Sequence, residues 1–196
     1  MKVIGITGGV GSGKSQILDY LHDKYGATIY VADDVSKKLQ KKGGKCYEPI
    51  VEYFGTEVLE ENGEIDRMKL ADIVFNDKEK LEKLNSIVHP AVKEAVRDKI
   101  KREEKKKTNL FFLEAALLLE EHYEEICDEL WYIYVTADRR MQRLRYSRGY
   151  TEEKAKEIMQ NQASDEYFFQ ECDRVIDNNH TFIETCDQLD EILKEF

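Results

Sequence analysis

The chain has 196 residues, 41% of them apolar, with only 2 prolines and 11 glycines, a composition that fits one domain with its own core and argues against a disordered chain. Its formal net charge of −10 argues against nucleic acid as a bulk partner, because phosphate backbones are met by basic surface, but it leaves room for a small anion in a local basic pocket. No run approaches about 18 consecutive apolar residues and the N-terminal run is too short for a secretory signal, so we expect a soluble cytoplasmic protein without a membrane span.

In chain order, Val3-Ile4-Gly5-Ile6 reads as a buried strand, followed by GGVGSGKS and then by Ile17, Leu18 and Leu21 at helical spacing. Residues 28–31, Thr-Ile-Tyr-Val, form a second β-prone run, delivering Asp33 and Asp34 at its C-terminal end. A helix is expected over 35–42, ended by Gly43-Gly44. From 45 to 107 no strong strand appears. Helical patterns follow one another there, closed by Gly55, turned at Asn62-Gly63 and capped by Asp66 and by Asp77. His89-Pro90 is expected to break the last of them, and the charged tract 101–107 to be a solvated face. Strands are then expected at 110–113, 131–135 and 174–177, with helices over 115–125, over 139–170 (split at Gly149, restarting at Thr151) and over 182–196. Strands alternating with helices give an α/β fold with a parallel sheet and right-handed crossovers. Cys46, Cys127, Cys172 and Cys186 lack metal-ligand spacing and read as free thiols.

The stretch that carries chemistry is Gly8-Gly9-Val10-Gly11-Ser12-Gly13-Lys14-Ser15. Gly8 and Gly13 bracket four residues and precede Lys14 and Ser15, the phosphate-binding loop pattern, and the flanking strand and helix give it the required context. Glycines let the backbone wrap a polyphosphate with its N–H groups inward, and the following helix adds its N-terminal dipole. Lys14 can reach the outer phosphates and the Ser15 hydroxyl can bind Mg²⁺. Asp33, beyond the second strand, suits a carboxylate that accepts a proton from an attacking hydroxyl, with Asp34 placed to cap the helix. Glu114 ends the third strand and reads equally well as a water-mediated Mg²⁺ ligand or as a simple strand-end acid. Of Arg139, Arg140, Arg143, Arg145 and Arg148, we expect Arg143 and Arg148 first to meet phosphate on a mobile helix, and others to be solvated. Tyr47, Tyr53, Phe54 and Phe75 could stack a base, although core packing is the commoner fate of such residues.

The chain resembles the dephospho-CoA kinase family. The resemblance rests on IGITGGVGSGKS, VADDVSKKL, IVEYFGTEVLEENGEIDRMKLADIVF, LEKLNSIVHPAV, EAALLLEE, RLRYSRG, Asn161-Gln162 and CDRVIDNN, in the family's order and over nearly the whole chain. Gln16, Ala116, Leu119 and Ile158 depart from the family pattern. The resemblance implies a P-loop three-layer fold with a five-stranded parallel sheet (core 1–44, 108–136 and 172–196), an inserted helical substrate region over 45–107 and a helical lid over 137–171. It implies ATP and Mg²⁺, the latter on Ser15, with Gly8, Gly9, Gly11, Ser12, Gly13, Lys14, Ser15 and Gln16 at the nucleotide. Asp33 is then the base that takes the proton of the 3′-hydroxyl of dephospho-CoA, Arg143 or Arg148 stabilises the moving phosphoryl group, and Arg67 and His89 help to hold the acceptor. A monomer or weak homo-oligomer, acting on small molecules, is expected. Two other readings stand beside it: a kinase of another small acceptor, such as a nucleoside monophosphate kinase, and a nucleotide switch without catalysis.

Overall fold

The apolar N-terminal run forms β1 (Lys2–Thr7), buried along nearly its whole length. β3 (Leu110–Glu114) and β4 (Glu129–Tyr134) share that character, as strands covered on both faces must. β2 (Thr28–Val31) and β5 (Arg174–Asp177) are shorter and less buried. A computed structural model of the protein describes residues 1–196, and its five strands make one parallel sheet in the order β2-β3-β1-β4-β5. The register sets Ile4 beside Phe112, Ile6 beside Trp131 and Ile133 beside Ile176. β1 is therefore central, and its C-terminal end opens directly into the glycine loop.

The chain divides into two compact units, residues 1–30 with 103–196, and residues 31–102. The first carries the sheet. Ile4, Ile6, Phe112, Trp131, Ile133 and Ile176 from the strands pack with Ile17, Leu18 and Leu21 of α1 (Lys14–Tyr25) and with Leu189 and Leu193 of α9 (Phe182–Leu193). α9 opens on a capping box between Thr181 and Glu184. Asp190 on α9 accepts hydrogen bonds from Tyr20 (2.6 Å), Tyr25 (2.5 Å) and Lys24 (2.5 Å). Burial raises the carboxyl's pKa, but those donors together outweigh it and pull it down from 3.8 to about 2. The tract at 101–107 departs from the expected solvated face at one residue. Glu103 is buried and accepts from Thr108 Oγ1 (2.9 Å), Lys106 Nζ (3.0 Å) and Thr28 Oγ1 (3.3 Å), because three donors meet its carboxylate there. The four cysteines are free, and burial first, then a neighbouring aspartate, pushes the thiols of Cys127 and Cys172 up to about 12. No helix is long and apolar enough to cross a membrane.

The second unit is helical: α2 (Ala32–Leu39), α3 (Tyr47–Phe54), α4 (Arg67–Phe75) and most of α5 (Lys78–Lys105). Asp66 caps α4 by accepting from the amides of Met68 and Lys69, and Asp77 accepts from the amide of Lys80. Gly55 ends α3, and Tyr47 and Phe54 are buried while Tyr53 and Phe75 are exposed.

Four sequence expectations give way here. α2 starts at Ala32, three positions before the expected 35, so Asp33 and Asp34 occupy its first turn, where the helix dipole favours acids. Asp34 consequently caps nothing and pairs with Lys37 at 3.0 Å. His89-Pro90 breaks no helix: α5 is continuous, and burial of Val88, Ala91, Val92 and Val96 outweighs the roughly 3 kcal/mol that an interior proline costs. Residues 116–122 form turns and not a helix, followed by one short 3₁₀ turn, Tyr123–Glu125. A helix there would stack Glu120 on Glu124 and Glu121 on Glu125, like charges at i, i+4. The 139–170 stretch breaks twice, giving α6 (Ala137–Arg148), α7 (Glu152–Gln160, capped by Thr151) and α8 (Asp165–Glu171, capped by Ser164).

Candidate active site

The glycine loop spans the turn from β1 into α1. Gly8, Gly11 and Gly13 have φ of +145°, +85° and +90°, a region that residues with a Cβ rarely adopt. Gly13 stands at the N-cap of α1 with no capping side chain, so the first amides of the helix are left to a ligand. Lys14, in the first turn, folds back to donate to the Gly8 carbonyl at 2.6 Å, and its Nζ lies 3.6 Å from Glu114 Oε1 at the end of β3. Ser15 and Gln16 follow it on α1, exposed. Ser12 is almost fully buried and its hydroxyl is the one buried side-chain polar atom without a partner.

Side chains from far along the sequence hold this loop. Asn178, just past β5, donates from Nδ2 to the Ser12 carbonyl (2.7 Å) and accepts from Thr185 Oγ1 of α9 (2.8 Å). Arg143 of α6 donates to the carbonyls of Asn178 (2.8 Å), Ser12 (3.2 Å) and Gly11 (3.4 Å). Burial, then nearby Arg139, lowers its pKa. Arg140 is buried, and its Nε donates to the Val10 carbonyl at 3.1 Å. Gln162 Oε1, between α7 and α8, accepts from the Val10 amide at 3.1 Å. A Cβ at Gly9 would fall 2.1 Å from the Arg140 guanidinium carbon, so glycine there makes room for that side chain.

Of the expected arginines, the structure brings Arg143 to the loop, and leaves Arg148 exposed as the last residue of α6. Arg140, which the sequence reading ranks behind Arg143 and Arg148, is buried against the loop, and Gln162 and Asn178 have no site role in that reading. The signal available for two of them was local: Asn161-Gln162 and Asp177-Asn178-Asn179 stand in segments already matched to the family.

In the second unit, Asp33 and Arg67 line one cavity of about 320 Å³ with Ser36, Lys37, Leu70 and Leu84 among the other lining residues. Its lining combines apolar side chains from α4 and α5 with one carboxylate and two cations. Arg67 Nη2 donates to the Lys37 carbonyl at 3.1 Å, which fixes its stem. His89 lies further along α5, half-buried.

The chain's solved relatives share this architecture. A crystal structure of a Thermus thermophilus protein superposes with a TM-score of 0.84 at 26% identity, covering 100% of this chain and 97% of that one. A dephospho-CoA kinase from Campylobacter jejuni does so at 0.74, covering 100% and 97%; at 24% identity it speaks for the fold alone. A parallel sheet whose central strand opens into a glycine loop, with a lysine and serine starting the next helix, defines a P-loop enzyme, an ATP-dependent kinase. The family model described as dephospho-CoA kinase matches residues 2–184. A protein of that name from Streptococcus mutans is 35% identical over 194 residues, covering 98% of this chain and 96% of its own length. The chain belongs to the dephospho-CoA kinase family.

Proposed function

We propose that this chain transfers the γ-phosphoryl group of ATP to the 3′-hydroxyl of dephospho-CoA, giving ADP and coenzyme A. The observation that carries the reading is the family match along nearly the whole chain, supported by a glycine loop in which Gly8, Gly11 and Gly13 take positive φ.

The amides of Gly11, Gly13, Lys14 and Ser15 offer donors to the β- and γ-phosphates, the Ser12 amide being spent on the Gly9 carbonyl at 3.1 Å, and Lys14 exchanges its Gly8 contact for the outer phosphates. Asp33 accepts the proton of the attacking hydroxyl. Arg67, with its stem fixed and its cavity partly apolar, supports the acceptor's phosphates, and His89 is a further candidate on α5. Arg143 and Arg148 remain the candidate lid arginines, with Arg143 the better supported by its place beside Ser12. Residues 45–107 serve as the acceptor-binding insertion and 137–171 as the lid.

The donor set fits Mg²⁺ held mainly by phosphates and water. No group of three or more His, Cys, Asp or Glu side chains could cage a metal, and the Ser15 hydroxyl is exposed where a single protein ligand is needed. When bound, Mg²⁺ neutralises phosphate charge. Ser15 would ligate it, and Glu114 could hold one of its waters. For this chain's residues the task is positioning and charge, since phosphoryl transfer asks little covalent chemistry of the protein.

The test is product formation with ATP, Mg²⁺ and dephospho-CoA beside a panel of nucleoside monophosphates. Coenzyme A as the favoured product supports the reading; turnover of another acceptor, or none, overturns it.

A further inference from the structure

We propose that Gln162 and Arg140 are a positioning pair that holds the apex of the phosphate loop through both backbone polar groups of Val10. The proposal rests on the kinase reading above. Val10 lies at the tip of the loop, and its amide and carbonyl are taken by two different side chains. Gln162 Oε1 accepts from the amide, and Arg140 Nε donates to the carbonyl. The two side chains also meet each other, Arg140 Nη2 donating to the same Gln162 oxygen. The result is a closed ring of three hydrogen bonds, two of them donated by the Arg140 guanidinium, in a partly buried setting where such bonds are strong.

The ring is anchored beyond the loop. Asp165, at the start of α8, lies 4.0 Å from Arg140 Nη1 and accepts from Tyr132 of β4 at 2.6 Å. Burial first, then Asp165, raises the Tyr132 phenol's pKa, so it stays a donor. The apex is thus tied through Arg140 and Asp165 to a central strand. The guanidinium occupies the space that the missing Cβ of Gly9 leaves, which ties the glycine at that position to Arg140 and not only to the nucleotide.

With the Val10 amide held by Gln162 and the Ser12 amide by the Gly9 carbonyl, the amides of Gly11, Gly13, Lys14 and Ser15 keep their places around a polyphosphate. Loss of the ring lets the apex rotate, and misplacement on the scale of an ångström costs orders of magnitude in phosphoryl transfer. Gln162 itself need touch no substrate for this.

Two variants remove the acceptor, Gln162→Met at similar length and Gln162→Ala, and one keeps it, Gln162→Glu, whose new charge Arg140 balances. In steady-state kinetics we expect kcat/KM for ATP to fall by about tenfold or more in the first two, the size of a lost charge-assisted hydrogen bond. KM for dephospho-CoA should stay within about twofold and Tm within about 3 °C, while Gln162→Glu keeps most of the parent's activity. The proposal is overturned by unchanged ATP kinetics in the folded Met and Ala variants. It is equally overturned by losses that track a fall in Tm and strike both substrates, or by a Glu variant as poor as Ala. The parent is assayed alongside: a failure of the kinase reading appears in the parent, a failure of the positioning pair only in the variants.

Discussion

The phosphate loop and the Asp33 cavity are built in opposite ways. The loop recognises with backbone, so its own side chains matter little beyond Lys14 and Ser15, and its shape depends on residues more than a hundred positions away: Asn178 on Ser12, Gln162 and Arg140 on Val10. The cavity presents side chains, and its walls come from helices within one unit, Asp33 and Lys37 on α2, Arg67 and Leu70 on α4, Leu84 on α5. A backbone site is generic in what it binds and demanding in what must support it. A side-chain site is specific in what it binds and can change one residue at a time.

That contrast can be broken or sharpened at four positions. The largest effect is expected from Lys14→Ala, because the loop has one cation of its own: turnover at saturating ATP should fall by about 10³-fold, measured by coupled ADP release, and activity near the parent's would remove Lys14 from the mechanism. Asp33→Asn comes next. Loss of a positioned base should lower kcat by about 10²-fold with ATP affinity by calorimetry unchanged; a matching loss of ATP affinity would mean that the residue serves the nucleotide end instead. Arg67→Ala should raise KM for dephospho-CoA by about tenfold, the size of one hydrogen bond to a charged group, leaving kcat and KM for ATP alone. A rise in KM for ATP would undo the separation of the two ends.

The smallest effect concerns support of the sheet-bearing unit. The Asp190 carboxyl is depressed from 3.8 to about 2 in the folded protein, so its stabilisation is present above the unfolded value and is lost as pH falls from about 4 towards about 2. Asp190→Asn should lower Tm by about 4 °C at pH 7, and the gap to the parent should narrow across that acid window. A gap independent of pH would show that the ion pair with Lys24 is not its source.

β1 and β3 were legible because strands buried on both faces leave uninterrupted apolar runs, while the less buried β2 and β5 were legible from the β-prone residues of Thr28-Ile29-Tyr30-Val31 and from Val175-Ile176. The loop was legible because its glycine spacing answers to one ligand chemistry. Local rules failed where packing overrode them, as at Pro90 inside α5, and where charge repulsion was not weighed, as at Glu120, Glu121, Glu124 and Glu125. The supports of the loop were hidden for a different reason. Nothing near Gln162 or Arg140 in sequence marks them as partners of Val10, because the pairing exists only once the helices after β4 are folded.

The central place of β1 sets an order of events during synthesis. β1 is made before its partners β3 and β4, whose residues are 110–114 and 129–134, and so waits unpaired while about a hundred residues are added. Ser12 then waits longer still, until Asn178 is joined. A nascent chain short of β5 therefore carries the whole phosphate-binding motif without the hydrogen bond by which Asn178 holds Ser12.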